Sequence, residues 1–146
     1  FNLLIKLLIL SFNILLNTQL FKVLKGLIKT IYMNILLILS NIIIAVSIII
    51  VWVFRFDNII NEFKQYGLPD IMRNTVGAMK ISLSTLLIVS IWYPELATIP
   101  SFLMAFLMVC AQYAHFSVKN PIKKYLPSLF LLSLSLFVGL SSIDLI

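Results

Sequence analysis

Four long apolar runs constrain the fold of this chain more than any other feature. They cover Met33–Phe54, Thr75–Tyr93, Leu96–Ser117 and Tyr125–Ile143. An α-helix rises about 1.5 Å per residue, so each run is long enough to cross the hydrocarbon core of a bilayer. Hydrophobic residues make up 62% of the 146 residues and charged residues 11%, and a soluble domain of this size could not bury so much apolar side chain. The sequence therefore predicts an all-α integral membrane protein, a transmembrane antiparallel four-helix bundle.

The segments between the runs carry the signals of loops and turns. Residues 55–74 form a polar loop in which Asp57–Tyr66 has the apolar spacing of a short amphipathic helix. Gly67-Leu68-Pro69 is expected to end that helix, because glycine and proline continue a helix poorly. A tight turn at Tyr93-Pro94-Glu95 makes the second and third runs antiparallel neighbours.

The basic residues of the loops predict the orientation in the membrane. The loop after the first run and the loop after the third run are basic, whereas the turn at 93–95 contains no lysine or arginine. Basic loops stay in the cytoplasm, so both basic loops should face it, in the inner membrane of a bacterium. The same bias accounts for the net charge of +6, and no nucleic-acid partner is expected. The basic residues of the two loops are Arg55, Lys64, Arg73, Lys119, Lys123 and Lys124.

Residues 1–32 form a basic, apolar leader that precedes the main domain, residues 33–146. Lys22, Lys25 and Lys29 share one helical face. This pattern is typical of an amphipathic helix in the membrane interface, but the leader could also be a membrane or signal-like helix. A third interpretation is an extension foreign to the natural protein, because Met33 stands directly before the first clean run. If the leader is native and does not cross the bilayer, its lysines oppose the orientation given above.

Polar residues inside two of the runs mark a candidate binding pocket near the cytoplasmic side. Gln112 and His115 continue a face of small and mid-sized side chains on the third helix, and Lys80 lies at a matching depth on the second. Arg73 lies just outside. Two cations, a titratable imidazole and an amide beside an apolar wall would suit the polar head of a quinone or another lipid-like acceptor. The alternatives are a Lys80 that reaches the headgroups and a His115 that is only hydrogen-bonded.

Several kinds of site are excluded or disfavoured by the residue counts. One histidine and one cysteine give no local metal-ligand cluster and no disulfide within the chain. The four glycines are scattered, so there is no glycine-rich phosphate loop. Cys110 is expected to be a packing residue. No catalytic residue is assigned.

Several short motifs from Glu62 onward share the pattern of one membrane protein family. They are Glu62-Phe63, Tyr66-Gly67-Leu68-Pro69, Arg73, Val76-Gly77, Lys80, Trp92-Tyr93-Pro94, Ala111–His115 and Val118-Lys119-Asn120-Pro121. These motifs resemble the DoxX-like family of small four-helix membrane proteins. The resemblance implies a four-helix membrane bundle, and named relatives are linked to thiosulfate–quinone oxidoreduction or to membrane oxidoreductase complexes.

The resulting expectation is a quinone-associated accessory subunit with the lipid bilayer and a membrane or soluble oxidoreductase as partners. Quinone is the candidate cofactor. The alternative is a structural membrane subunit without catalysis. A small multidrug-type transporter is disfavoured, because that class relies on a carboxylate in its first helix and residues 34–54 contain none.

Overall fold

The computed structural model describes the backbone of residues 2–143 and the side chains of residues 6, 10 and 14–143. The described residues do not include Phe1, the first residue of the predicted leader, or residues 144–146, the last three of the predicted main domain. The described chain contains five α-helices and no strand, and this confirms the all-α prediction. The helices are α1 (Asn2–Ile49), α2 (Phe56–Gln65), α3 (Asp70–Val89), α4 (Thr98–Ser117) and α5 (Leu126–Ile143).

Three stretches of the described chain are helical, long and apolar enough to span a membrane. They are Ile14–Phe54, Pro94–Ser117 and Ile122–Ile143. Helix α3 covers most of the predicted span Thr75–Tyr93 but is not among the three. It contains Asp70, Arg73 and Lys80, and charged residues lower the mean hydropathy of a helix. The three membrane-length stretches identify the chain as an integral membrane protein.

Residues 1–36 and residues 37–146 are two separate compact units. In the first unit the described side chains of Ile14–Tyr32 are all exposed. The hydroxyls of Thr18 and Thr30 donate to carbonyls of the preceding turn, as such side chains do in helices whose surroundings offer no other acceptor. The second unit contains the end of α1, a π-helical turn at Ile50–Phe54 and all the later helices.

Within the second unit, the end of α1 runs antiparallel to α3. The ring of Trp52 covers Gly77 so closely that a Cβ atom there would lie 2.3 Å from the ring. Towards the other end of α3, Asn41 donates a hydrogen bond to Ser90 Oγ at 3.1 Å. One contact is steric and the other is polar, and together they fix the register of the two helices.

Helices α4 and α5 form the most extensively packed pair, and they are also antiparallel. A Cβ atom at Gly139 would lie 2.9 Å from Ser101 Oγ near the start of α4. Near the end of α4, Gln112 Nε2 donates to Ser128 Oγ at 2.9 Å and to the Tyr125 carbonyl at 3.0 Å. The face of α4 predicted to pack against other helices has five residues. Gln112 is half-buried, and the other four are buried: Ser101, Ala105, Met108 and His115.

Helix α2 is the predicted amphipathic loop helix, and it lies where the two basic loops meet. Ile59 is buried and Phe63 packs against the core, whereas Asn58, Asn61 and Gln65 are exposed. The helix ends at Gln65, and Gly67, two residues later, has a φ of +70°, a left-handed conformation that suits glycine. Gln65 of the first loop then donates to Asn120 Oδ1 of the second loop at 3.3 Å. Both basic loops therefore lie at the same end of the second unit.

The outer surface of the helices is apolar, as lipid contact requires. Phe106, Tyr113 and Phe116 on α4 are each more than 60% exposed. Four buried serines donate their hydroxyls to carbonyls of the preceding helical turn: Ser84, Ser90, Ser101 and Ser142. The buried Ser135 hydroxyl has no hydrogen-bond partner among the described residues. Self-satisfied hydroxyls allow polar residues to line a helix contact in a solvent that offers no hydrogen bonds.

Candidate functional site

His115, near the end of α4, is the centre of a hydrogen-bond network that joins both basic loops. Its Nδ1 lies 2.8 Å from the Tyr66 hydroxyl and 3.0 Å from Asn120 Nδ2. Asn120 in turn accepts from Gln65. The side chain of His115 is 8% exposed, so these partners supply polar contacts that water cannot.

The network determines which nitrogen of His115 carries the proton. The Asn120 amide nitrogen bears only hydrogens, so it donates, and Nδ1 must accept. The Tyr66 hydroxyl, at 2.8 Å, shares the single lone pair of Nδ1 with the Asn120 amide. His115 is therefore a neutral imidazole with its proton on Nε2. Among the described residues, Nε2 has no hydrogen-bond partner, so its N–H remains a donor for another molecule.

Two tyrosine rings enclose the imidazole. Tyr66 meets it edge-to-face at 5.7 Å between ring centroids, and Tyr125 lies at 5.6 Å. Burial, with smaller contributions from the Glu62 carboxylate and the Tyr125 phenol, raises the pKa of Tyr66 above its ordinary value. Tyr66 therefore stays a protonated hydrogen-bond donor throughout the physiological pH range.

The raised pKa of Tyr66 predicts that its phenol ionises at a higher pH than an ordinary tyrosine in an alkaline titration. Below pH 10 the phenol is protonated in both the folded and the unfolded chain, so stability does not depend on it. Above pH 10 the unfolded chain releases the proton and the folded chain keeps it, so stability falls as the pH rises. Tyrosinate absorbance of the parent should therefore include a component above the ordinary tyrosine range that Tyr66→Phe removes. The exposed Tyr113→Phe is the control, and an identical loss in both variants would contradict the assignment.

Glu62, on α2, is the charged group shared by the interior polar residues. Its carboxylate acts electrostatically on Tyr66, Lys80 and His115. Lys80 is half-buried, and the Cys110 thiol acts on it as well. The expectation that Cys110 packs inside is wrong, because its side chain is exposed. Lys80 also acts on His115, so these two candidate residues lie within electrostatic range of each other.

The other two candidate residues make their contacts elsewhere. Gln112 uses its amide hydrogens on Tyr125 and Ser128 of the following segment. Arg73 pairs with Asp70 at 2.5 Å and lies over the ring of Phe56, 5.6 Å from its centroid. No hydrogen bond joins either residue to His115 within the described chain. Arg73 and Gln112 therefore contact the surrounding helices and loops, away from His115.

The sequence did not reveal the partners of His115 as site residues. Tyr66 and Glu62 belong to the loop helix and Asn120 to the second loop, so helical periodicity in the membrane spans could not place them. One signal was present: Glu62, Tyr66 and Asn120 all lie in the short motifs that carry the family resemblance.

Comparison with known proteins gives one match. The model of a family described as the DoxX-like family matches residues 32–138. No curated protein and no solved structure matches the chain. The matched segment contains the end of α1 and almost all of the chain that follows it, including every residue of the His115 network.

Proposed function

This chain belongs to the DoxX-like family, and on that premise we propose that it is a quinone-associated accessory subunit of a membrane oxidoreductase complex. The observation that carries the proposal is the free Nε2–H of His115, held neutral by Tyr66 and Asn120. A quinone carbonyl needs such a donor. A redox protein, in the membrane or in solution, would supply or remove the electrons.

Lys80 supplies the second feature that suits a quinone head. Its ammonium group lies within electrostatic range of His115, and among the described carboxylates none pairs with it. A cation favours the negative charge that a reduced quinone develops, and it does so more strongly where water is scarce. The Glu62 carboxylate acts electrostatically on both groups.

The proposal includes four membrane spans, with α3 as the second. Lys80 is the one charged residue within the predicted span Thr75–Tyr93, and Arg73, just before the span, is neutralised by Asp70. The basic loops would face the cytoplasm of a bacterial inner membrane. The quinone head would then lie near the cytoplasmic surface, with its tail among the helices and lipid.

The test is quinone retention by the purified chain in mild detergent. The parent should carry quinone or be thermally stabilised by added quinone, and His115→Leu should lower retention about tenfold, the effect of losing one buried hydrogen bond. Lys80→Leu should also lower it without loss of stability, because it removes a desolvation cost. Lys64→Leu, on the exposed face of α2, is the matched control.

Two results would overturn the quinone assignment. One is a parent protein that contains no quinone and whose thermal stability does not change when quinone is added. The other is equal retention by the parent and both site variants. Either result favours a structural membrane subunit in which the network serves packing alone.

A further inference from the structure

A polar cleft lies at the loop end of the second unit, outside the His115 pocket. Its volume is about 260 Å³, and every side chain that lines it is polar. Two cations, one carboxylate and three amides are present: Arg55, Lys124, Glu62, Asn58, Asn61 and Gln65. These charged and amide groups suit an occupant that carries charge and hydrogen-bonding groups.

The charged groups of the cleft are not paired with one another. Among the described residues the one ion pair is Arg73–Asp70, so Arg55, Lys124 and Glu62 have no partner within 4 Å. Arg55 and Lys124 are exposed and make no side-chain hydrogen bond within the described chain. The two cations and the carboxylate are therefore available to a ligand.

The position of the cations along the chain places the cleft at the level of the lipid headgroups. Arg55 directly follows Phe54, the last residue of a membrane-length stretch. Lys124 comes two residues before α5. Phe54 and Ile122, beside these positions in the chain, are each nearly 80% exposed. Exposed apolar side chains next to a cationic cleft are an arrangement that suits a molecule with a charged head and acyl chains.

We propose that this cleft binds the phosphate of a phospholipid whose headgroup also carries a primary ammonium, such as phosphatidylethanolamine. Arg55 and Lys124 would bind the phosphate oxygens by charge-assisted hydrogen bonds. Glu62 would repel a simple anion, but it complements an ammonium group that donates hydrogen bonds. The amides of Asn58 and Asn61 can donate to or accept from either part of the headgroup. This inference does not rest on the quinone proposal: the two share Glu62, but the cations Arg55 and Lys124 and the ligand are different.

The test is thermal stabilisation of the full chain in detergent by four added probes. They are short-chain phosphatidylethanolamine, phosphatidylcholine, phosphatidylglycerol and inorganic phosphate. We expect the ethanolamine lipid to bind at least about tenfold more tightly than either of the other two lipids. The choline lipid has no N–H to donate to Glu62, and the glycerol lipid has no ammonium group. Inorganic phosphate should change the unfolding temperature little, since it lacks the ammonium group and the acyl chains.

Variants identify the residues that recognise the headgroup. Arg55→Gln combined with Lys124→Gln should abolish the stabilisation. Glu62→Gln should abolish the preference, so that the ethanolamine and choline lipids bind with about equal affinity. The matched control, Lys64→Gln combined with Lys123→Gln, removes two charges from the same region but outside the cleft, and it should bind as the parent does.

Each contrary result overturns a defined part of the proposal. Equal stabilisation by the ethanolamine, choline and glycerol lipids removes the role of Glu62 and the assigned headgroup. An equal shift with inorganic phosphate identifies free phosphate as the ligand in place of a lipid. Loss of binding in the control variant as well means that diffuse surface charge holds the lipid. If the cleft variant does not fold, the ranking of the four probes on the parent decides the question.

Discussion

Replacing Gly77 by alanine should destabilise the second unit by about 1–3 kcal/mol, the range for overpacking a well-filled interior. A Cβ atom at this position would lie 2.3 Å from Cζ3 of Trp52, closer than nonbonded atoms can approach. Trp52 is buried, so its large ring has little room to move away from Gly77. The improved helix propensity of alanine, worth about 1 kcal/mol, offsets only part of the loss. The measurement is thermal unfolding in detergent.

Two companion variants make this expectation specific to the ring contact. Gly26→Ala lies in the other compact unit, where a Cβ atom would meet nothing within 4 Å, so it should leave stability unchanged or raise it slightly. In a Trp52→Ala background, Gly77→Ala should no longer be destabilising, because the obstructing ring is gone. If Gly77→Ala lowers the unfolding temperature equally in the parent and in the Trp52→Ala background, the contact between Trp52 and Gly77 is wrong.

Labelling from the two sides of the membrane should give an all-or-none pattern. Cys110 is the one cysteine of the chain, so Cys110→Ser provides a background for single new cysteines. Lys64→Cys and Lys124→Cys should react with an impermeant thiol reagent from the same side, because the loops that carry them meet through Gln65 and Asn120. Glu95→Cys, in the turn after α3, should react only from the opposite side.

The position of residue 95 decides whether α3 crosses the bilayer. If α3 does not span, residues 64 and 95 are on the same side and both react together. Reaction of positions 64 and 124 from opposite sides would contradict the placement of the two basic loops at one end. A reagent that crosses membranes should label all three positions and shows that each thiol is reactive.

Apolar run length predicted the last two helices well, because hydrocarbon leaves the backbone no alternative to the helix. It was less accurate for the first two, since α1 begins at Asn2 and α3 covers Asp70–Val89. The third and fourth predicted spans agree with α4 and α5 to within two residues at each end. Apolar run length could not show the π-helical turn at Ile50–Phe54, since a wider turn leaves the composition unchanged. Nor could it show that Trp52 covers Gly77, because contact between two helices depends on register, which hydropathy does not encode.

The sequence placed Gln112, His115, Lys80 and Arg73 in one pocket, and helix geometry explains why Gln112 and Arg73 contact other residues. Gln112 and His115 are three residues apart, which separates their directions by about 60°. Gln112 consequently meets Ser128 of α5, whereas His115 meets Tyr66 and Asn120. Arg73 lies seven residues before Lys80, about 10 Å along the axis, and at that level it meets Phe56.

The lengths of the last two helices bear on the kind of bilayer that the protein can occupy. Helix α4 has 20 residues and α5 has 18, or about 30 Å and 27 Å of rise. A hydrocarbon core is typically about 30 Å thick, so neither helix has spare length to tilt. Lysines 123 and 124, just before α5, can extend their ammonium groups towards the headgroups and add a few ångströms of reach. A thicker membrane would have to thin around α5, at a free-energy cost that grows with each ångström of hydrophobic mismatch.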